Sequence, residues 1–320
     1  MNKSIYQLII CSGISAMTVA GYANSQVTVP TFKPTTETVN QRQLNDQSLL
    51  AINWMQQSGE YRALAYQAYN SAQLAFDNTK KVKNPVVIVD IDETVLDNSA
   101  YQSGLINSDA AFSPQSWNQW IKARKAKAVP GAVEFVNYVN ANGGKVFFIS
   151  DRDESSTGDS KNNDLELATI ANLKVVGFTG VNEQSLLLKG EFTKTINGKK
   201  DTNKQFRREA VENGKADGKA HTTIVLVGDN LNDLDAVAAK TNSARRLHVD
   251  NSKNLYGIKR SNSQTKAFKP TYIVLPNPMY GSWESAIYNP AAFNKKQWSE
   301  LTPTQKSQQR KQALNRWISN

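Results

Sequence analysis

Two acidic segments, each placed directly after a run of apolar residues, constrain this chain more than any other feature of its sequence. The apolar residues 86–89 lead into the acidic segment 90–94, and the apolar residues 223–227 lead into the acidic segment 228–233. Continuous β-branched runs of this length are typical of buried parallel strands, and such strands carry functional groups at their carboxyl ends. The sequence therefore predicts that four carboxylates meet at one edge of a sheet: Asp90, Asp92, Asp229 and Asp233.

Three more apolar runs, residues 145–149, 185–188 and 272–275, alternate with segments of helical periodicity. This alternation predicts an α/β fold with a doubly wound, mostly parallel sheet and helices on both faces. Residues 97–129 do not fit the repeating pattern, and their length predicts a small, mainly helical cap over the site. Residues 191–202 carry Asn-Gly at their centre, which predicts a β-hairpin.

The spacing of the carboxylates indicates metal chemistry rather than helix capping. A cap at a strand-to-helix turn needs one aspartate, whereas Asp90 and Asp92 flank a single residue. Neighbouring carboxylates repel each other unless a cation or a proton lies between them, and a site with only oxygen ligands favours Mg²⁺. Ser150, at the end of the run 145–149, and a lysine near position 204 would complete a phosphate-binding cradle.

The composition excludes several other classes of site. One cysteine rules out a disulfide framework and a cysteine-based zinc site, and two histidines leave little for a histidine-rich metal centre. The 38 Lys and Arg residues against 28 Asp and Glu residues give a net charge of +10. The sequence has no basic and aromatic pattern typical of nucleic-acid readers, so we expect no nucleic acid polymer as a partner.

The amino terminus has the pattern of a secretory signal peptide. Lys3 precedes a mostly apolar stretch, and small residues around Ala23 fit a cleavage site. We expect residues 1–23 to be the signal peptide, residues 24–43 to be an extended leader, and the mature protein to be periplasmic or secreted. Tyr22 stands where a lipoprotein would carry its lipidated cysteine, so no lipid anchor is expected.

The acidic segments 90–94 and 228–233, together with Ser150 and Lys204, resemble the four motifs of the haloacid dehalogenase superfamily. Further stretches resemble the lipoprotein e family of bacterial class C acid phosphatases more closely: Asn53-Trp-Met, Ser58-Gly-Glu-Tyr, residues 63–70, 92–99 and 128–135, and Tyr280-Gly-Ser-Trp-Glu284. The resemblance spans about residues 45–285. It implies one phosphatase domain over residues 44–290, with cap elements around 44–80 and 97–129. The basic residues of the tail indicate a C-terminal extension over 291–320.

The resemblance also implies a role for each aspartate. Asp90 would be the nucleophile that becomes an aspartyl-phosphate. Asp92 would be the acid and base, and its backbone carbonyl would reach the metal. Mg²⁺ would thus be bound by Asp90, Asp92, Asp229 and Asp233.

Substrate contacts are implied in the same way. Ser150 and Lys204 would bind phosphate, with three nearby lysines left open as alternatives to Lys204: Lys189, Lys199 and Lys200. Trp117 and Tyr280 would clamp the base of a nucleoside monophosphate, because stacking on a flat ring tolerates different bases. Asp151 stands where the relatives carry asparagine, which puts an additional carboxylate near the phosphate.

The expected function is therefore a secreted, Mg²⁺-dependent acid phosphatase that hydrolyses phosphomonoesters, above all nucleoside 5'-monophosphates. One alternative is a broad-specificity phosphatase or phosphotransferase that acts on sugar or aryl phosphates. Another is a non-catalytic surface protein that binds a ligand. A homodimer is left open, and the basic residues 295–316 are expected to form a solvated helix anchored by Trp298, Leu314 and Trp317.

Overall fold

Five parallel strands form the central sheet of the protein, in the order β5-β4-β1-β8-β9. Its strands are β1 (Pro85–Val89), β4 (Lys145–Asp153), β5 (Leu186–Lys189), β8 (Thr222–Gly228) and β9 (Thr271–Val274). The computed structural model describes residues 38–159, 161–258, 269–289 and 297–317, and one compact unit runs from Glu37 to Leu314. The predicted doubly wound parallel sheet is confirmed.

Helices surround this sheet and extend beyond it at both ends of the described chain. They are α1 (Gln41–Asp46), α2 (Leu49–Gln57), α3 (Gly59–Thr79), α4 (Ser99–Ser103), α5 (Pro114–Ala123), α6 (Ala132–Ala141), α7 (Asp164–Val175), α8 (Lys204–Glu212), α9 (Leu231–Leu234), α10 (Asn242–Asn251), α11 (Ser282–Ser285) and α12 (Pro303–Gln312). In addition, 3-10 turns occur at Lys253–Leu255 and Trp298–Glu300.

The alternation of side chains along each strand divides the core between the two faces of the sheet. In β1, Val87 and Val89 belong to the apolar cluster that includes residues of α3 and α6. Val86 and Ile88 face the other side, in the cluster that includes Val211 of α8. Both faces are therefore covered, which explains why residues 86–89 are apolar without interruption.

Helix α3 is part of the helical layer on the sheet rather than of a cap. Its buried residues recur at helical spacing, and Ala65, Tyr69, Ala72 and Phe76 lie in the same cluster as Val87. The expectation of a cap element over residues 44–80 is therefore wrong for this helix. Helix α1 also begins at Gln41, so residues 41–43 are helical rather than part of an extended leader, because Asn40 and Gln43 form a capping box.

The segment between β1 and α6 contains the helices α4 and α5 and a short antiparallel pair of strands, β2 (Leu96–Asp97) and β3 (Lys127–Ala128). It has the mainly helical character expected of residues 97–129. The predicted hairpin is formed by β6 (Lys194–Ile196) and β7 (Lys199–Asp201). Asn197 and Gly198 both have positive φ angles, 50° and 73°, as a two-residue hairpin turn of this kind requires.

Helix α12 lies within the compact unit and contacts α1, although it falls in the predicted C-terminal extension. Its anchors differ from those expected, since the exposed fractions of Trp298, Leu314 and Trp317 are 46%, 64% and 82%. Polar contacts hold the helix instead. The Thr304 hydroxyl donates to the Val39 carbonyl (3.1 Å), and the Gln47 amide donates to the Ser307 hydroxyl (2.8 Å).

The predicted signal peptide, residues 1–23, and residues 24–37 of the predicted leader lie outside the described residues. Within the described part of the chain, no helix is long and apolar enough to cross a membrane.

Candidate active site

Three aspartates from two neighbouring strand ends form the centre of the site. Asp90 follows β1, and its backbone N–H donates to the Val227 carbonyl of β8 (2.9 Å). Carboxylate oxygens of Asp90, Asp229 and Asp233 all lie within 4.8 Å of one another. The structure therefore brings together three of the four carboxylates that the sequence predicts to meet.

Glycine at position 228 lets Asp233 approach the end of β8. A Cβ atom at Gly228 would lie 2.3 Å from the Cβ of Asp233 and 2.6 Å from its Oδ2. The same Oδ2 accepts the Asn230 N–H (2.9 Å) and so closes the capping box of α9. Any side chain at position 228 would push Asp233 away from the cluster.

Lys204 supplies the positive charge of the cluster. Its ammonium group donates to Asp90 Oδ1 and to Asp233 Oδ1, the latter at 2.7 Å. Burial alone would lower the pKa of Lys204, but the two carboxylates raise it above its usual value. The three other candidates for this position, Lys189, Lys199 and Lys200, are exposed.

Burial raises the pKa of Asp90 well above its usual range, and the neighbouring Asp233 carboxylate raises it further. Burial and Asp233 also raise the pKa of Asp229 to about 7. Both shifts have the same physical cause, since one ammonium group has to balance two buried carboxylates and one that is half-buried. The cluster therefore has more carboxylates than cationic groups.

Asp92 does not join the three clustered carboxylates through its side chain. Its Oδ1 accepts from Nη2 of Arg152 (2.7 Å) and from Nδ2 of Asn98 (2.8 Å), and Nε of Arg152 lies 3.1 Å from both carboxylate oxygens. The guanidinium group is almost completely buried. This carboxylate is therefore held in one orientation beside the cluster.

Asn98 connects Asp92 with the turn that follows β1. Its backbone N–H donates to Glu93 (2.7 Å), and its Oδ1 accepts from the Trp120 indole (2.8 Å). Glu93 has a φ angle of 57°, which is rare for a residue with a side chain. Burial raises the pKa of Glu93 well above its usual value. The hydrogen bonds from Asn98 stabilise this turn, and the turn places Asp92.

Ser150 is fully buried within β4, and its hydroxyl oxygen accepts the Arg152 N–H (3.1 Å). Its own O–H proton has no acceptor among the described residues. Arg207 donates to the Ser150 carbonyl and to Asp151 Oδ1, the latter at 2.8 Å. Partial burial raises the pKa of Asp151, but the charges of Lys204 and Arg207 outweigh this effect and lower it. The additional carboxylate therefore stays negatively charged, and Arg207 balances its charge.

Trp117 and Tyr280 belong to two different apolar clusters. Trp117 packs with Ile121 of α5, and its ring centroid lies 5.1 Å from that of Tyr101. Tyr280 packs beside Met279. Within the described parts of the chain the two rings make no direct contact. Their pairing around a base stays a prediction.

Sequence reasoning missed two residues that orient the acidic groups. Arg152 holds Asp92. Asn277 donates to Asp229 Oδ2 (2.9 Å). The other oxygen of Asp229 accepts from Thr94 (3.4 Å), which belongs to the acidic segment 90–94. Both missed residues follow the pattern that located the aspartates, because they are polar residues at or just after the apolar part of a strand. Extending that pattern to β4 and β9 would have found them.

The donor set fits a hard divalent cation. Asp90, Asp229 and Asp233 offer only oxygen atoms, and Lys204 leaves two negative charges uncompensated. Asp229 in particular is contacted only by the neutral side chains of Asn277 and Thr94 among its described hydrogen-bond partners. Such an arrangement matches the preference of Mg²⁺ for carboxylate ligands.

The family model described as HAD superfamily, subfamily IIIB (Acid phosphatase), matches residues 12–283. This chain belongs to that family. The phosphatase is also similar to the class C acid phosphatase of Bacillus anthracis, at 31% identity and a TM-score of 0.68 over 86% of this chain and 99% of that one. A structure of the same bacterial protein with tungstate bound matches at 30% identity, with the same TM-score and coverage.

Membership makes the phosphatase a phosphoric monoester hydrolase of the haloacid dehalogenase superfamily. Its substrate is accordingly a small-molecule phosphate ester. Enzymes of the superfamily use a divalent metal, and the carboxylate cluster of the phosphatase provides the oxygen ligands for one.

Proposed function

We propose that the phosphatase is a secreted, Mg²⁺-dependent enzyme that hydrolyses nucleoside 5'-monophosphates through an aspartyl-phosphate. The observation that carries the proposal is the contrast between two aspartates one residue apart. Asp90 lies in the carboxylate cluster with Lys204, whereas Asp92 is held outside it by Arg152 and Asn98. A nucleophile and a proton carrier need these two different environments.

In the first step, an oxygen of Asp90 attacks phosphorus and the bond to the ester oxygen breaks. Asp92, protonated at this stage, gives its proton to the leaving alkoxide. Lys204 and the free hydroxyl of Ser150 stabilise the negative charge on the phosphoryl oxygens. Mg²⁺, when bound by the clustered aspartates, would supply further charge stabilisation.

In the second step, Asp92 as a carboxylate accepts a proton from water, and the resulting nucleophile attacks the phosphorus of the aspartyl-phosphate. The bond between phosphorus and Asp90 breaks, inorganic phosphate leaves, and Asp92 is protonated again for the next cycle. The two-sided contact with Arg152 keeps Asp92 in place through both proton transfers.

Two aromatic residues support the preference for nucleotides, one in the cap and one in the loop after β9. Trp117 and Tyr280 are both partly exposed, and stacking contributes about 1–3 kcal/mol per base. Secretion is supported by the pattern of residues 1–23, and a periplasmic or secreted enzyme would act on phosphomonoesters outside the cytoplasm.

The test is a panel of phosphomonoesters assayed with and without Mg²⁺, using the wild type and Asp90→Asn. We expect Mg²⁺-dependent phosphate release, higher kcat/KM for nucleoside 5'-monophosphates than for sugar phosphates, and a loss of at least about 10³-fold in Asp90→Asn. Full activity of Asp90→Asn would contradict the mechanism. Equal effects of Trp117→Ala on nucleotide and aryl phosphate hydrolysis would instead indicate a broad-specificity phosphatase.

A further inference from the structure

A surface cavity of about 380 Å³ adjoins the carboxylate cluster on the side of α10. Asp229 and Asn230 line it from the end of β8, Arg245 and Arg246 line it from α10, and Trp283 lines it from α11. Ligand sites usually have volumes of about 300–1,000 Å³. Because Asp229 belongs to both the cavity and the cluster, the two lie next to each other.

Arg245 is a buried cation without an acidic partner among the described residues. Only 7% of the residue is exposed. Its Nη1 donates to Asn232 Oδ1 and its Nη2 to Asn230 Oδ1, both at 3.3 Å. Burial lowers the pKa of Arg245, yet a guanidinium group stays charged in proteins. Buried arginines are normally paired with an anion, so the anion here would come from a ligand.

The neighbouring charged residues bear on whether an anionic ligand fits the cavity. Arg246 is exposed and makes no hydrogen bond or ion pair with any residue that the structure describes. Asp250 also lines the cavity, one helical turn beyond Arg246, but no ion pair joins it to either arginine within 4.0 Å. Asp229 lines the cavity as well, and it accepts a hydrogen bond from the neutral Asn277 amide. The cavity is therefore lined by two arginines and two carboxylates, and no ion pair among the described residues joins either arginine to an acidic group.

Trp283 ties this cavity to the substrate side of the site. Its indole N–H lies 3.2 Å from the Asn277 carbonyl and 3.1 Å from the Tyr280 carbonyl, and it donates to both. One short loop thus supplies the hydrogen bond to Asp229, a predicted base-clamping residue and the aromatic wall of the cavity. These groups keep a fixed spacing, as a site that binds both parts of one molecule requires.

We propose that the cavity binds a second phosphate group of the substrate, so that doubly phosphorylated nucleosides are preferred over nucleoside monophosphates. The inference rests on the proposed function and specifies its substrate class. One phosphate lies at Asp90, and the other is bound by the guanidinium groups of Arg245 and Arg246, whose planar donors match phosphate oxygens.

The test compares adenosine 3',5'-bisphosphate with adenosine 5'-monophosphate as substrates of the wild type and of Arg246→Gln. Arg246 is chosen because no hydrogen bond within the described residues ties it to the catalytic loop. Lys174→Gln, on α7, is the matched control, because it removes one exposed positive charge that does not line the cavity. Release of the 5'-phosphate is followed by the appearance of adenosine 3'-monophosphate.

We expect the ratio of kcat/KM for the bisphosphate to that for the monophosphate to exceed one in the wild type and to fall about tenfold in Arg246→Gln, which corresponds to ~1.4 kcal/mol. Lys174→Gln should keep the wild-type ratio. An unchanged ratio in Arg246→Gln would overturn the inference. A second result would also overturn it. Inorganic phosphate would inhibit monophosphate turnover noncompetitively, and Arg246→Gln would abolish this inhibition without changing the ratio. The cavity would then bind free phosphate.

A binding measurement separates this inference from the proposed function. Calorimetry with Asp90→Asn and Mg²⁺ should show tighter binding of the bisphosphate than of the monophosphate, and the difference should shrink when Arg246→Gln is added. If the wild type releases phosphate from neither nucleotide, the proposed function is wrong, while this binding difference still reports on the cavity. Equal affinity for the two nucleotides would contradict the inference alone.

Discussion

At the scale of single residues, Arg152 illustrates how a group that touches no reacting atom can control a proton transfer. Arg152 orients Asp92, and under the proposed mechanism an alkoxide leaving group needs the proton of Asp92 much more than a nitrophenolate does. We therefore expect Arg152→Gln to lower kcat/KM for a nucleoside monophosphate about 10²-fold but for p-nitrophenyl phosphate less than tenfold. Steady-state kinetics with both substrates measures the difference.

Lys125→Gln is the control for this experiment, because Lys125 is an exposed lysine of the same region that makes none of the described contacts with Asp92. It should leave both substrates unaffected. A purely structural role of Arg152 would lower both kcat/KM values by the same factor, which would contradict a positioning role.

A second residue-scale prediction concerns Asp217, at the opposite end of the sheet. Asp217 accepts from Lys145 Nζ (2.6 Å) and lies 2.9 Å from Nε2 of His221. Burial raises the pKa of Asp217, but these two partners outweigh it and lower the pKa to about 2. Because the pKa is lower in the folded than in the unfolded state, this carboxylate stabilises the fold above about pH 4 and stops doing so as the pH falls through 2.

We expect Asp217→Asn to lower the free energy of unfolding by roughly 1–2 kcal/mol at pH 7, since solvent near Lys145 screens part of the interaction. The difference from the wild type should disappear between pH 4 and pH 2. Urea denaturation at several pH values measures it. A difference that stays constant down to pH 2 would show that the effect does not come from the charge of Asp217.

The residues of the site differ in how far the sequence could reveal them. Asp90, Asp229 and Asp233 follow from apolar runs that end in acidic residues, and parallel strands place such ends together. The direction of a side chain at that edge does not follow from the pattern. Asp92 lies only two residues after Asp90, yet it contacts Arg152 rather than the cluster, because the backbone has left strand geometry at that point.

At the scale of elements, helix α12 braces the loop that carries Tyr280. Arg310 of α12 donates to Glu284 of α11 (2.5 Å), to the Tyr288 hydroxyl (2.9 Å) and to Gln47 (3.0 Å). The family model ends at residue 283, so Arg310 and its partners Glu284 and Tyr288 lie outside the matched region. Its contacts are polar and join three segments far apart in sequence.

We expect Arg310→Gln to raise KM for nucleotides about three- to tenfold with little change in kcat, because Tyr280 is held less firmly while the catalytic strands are intact. The melting temperature should fall by about 2–4 °C, as for the loss of roughly 1 kcal/mol in a protein of this size. Kinetics and thermal denaturation measure the two effects. Gln312→Ala, an exposed change in the same helix, should show neither effect. An unchanged KM in Arg310→Gln would contradict the idea that α12 holds the loop of Tyr280 in place.

The elements with buried apolar faces were the predictable ones. All five strands and helices such as α7 lie where the apolar periodicity placed them, because burial determines both the periodicity and the position of the element. The basic tail shows the opposite case. Its aromatic residues suggested anchors, but glutamine, threonine and arginine side chains hold α12, and specific hydrogen bonds leave no periodic trace in a sequence.

At the scale of the whole molecule, metal binding should couple to stability and to pH. Burial raises the pKa of Asp229 to about 7, so protons would compete with a cation that Asp229 binds. We therefore expect Mg²⁺ to raise the melting temperature more at pH 8 than at pH 5.5, because a ligand that binds only the folded state stabilises it. Thermal denaturation with Mg²⁺ and with EDTA measures the shift.

Asp229→Asn provides the comparison for this prediction, since it removes the titrating ligand while it keeps the size of the side chain. The variant should show a smaller Mg²⁺-dependent shift that depends little on pH. The same shift in the wild type at both pH values would show that Asp229 does not bind the cation in competition with protons.

The candidate catalytic groups lie at the inner strands of the sheet, and this position affects how the enzyme loses activity when it unfolds. Asp90, Ser150 and Asp229 lie on or directly after β1, β4 and β8, the three inner strands, while β5 and β9 form the edges. Fraying at an edge leaves the inner strands paired, whereas separating any two of the inner strands breaks the core on both faces. We therefore expect partly unfolded molecules with a displaced Asp90 to be rare, so that a population losing activity would consist of intact enzymes and fully unfolded chains.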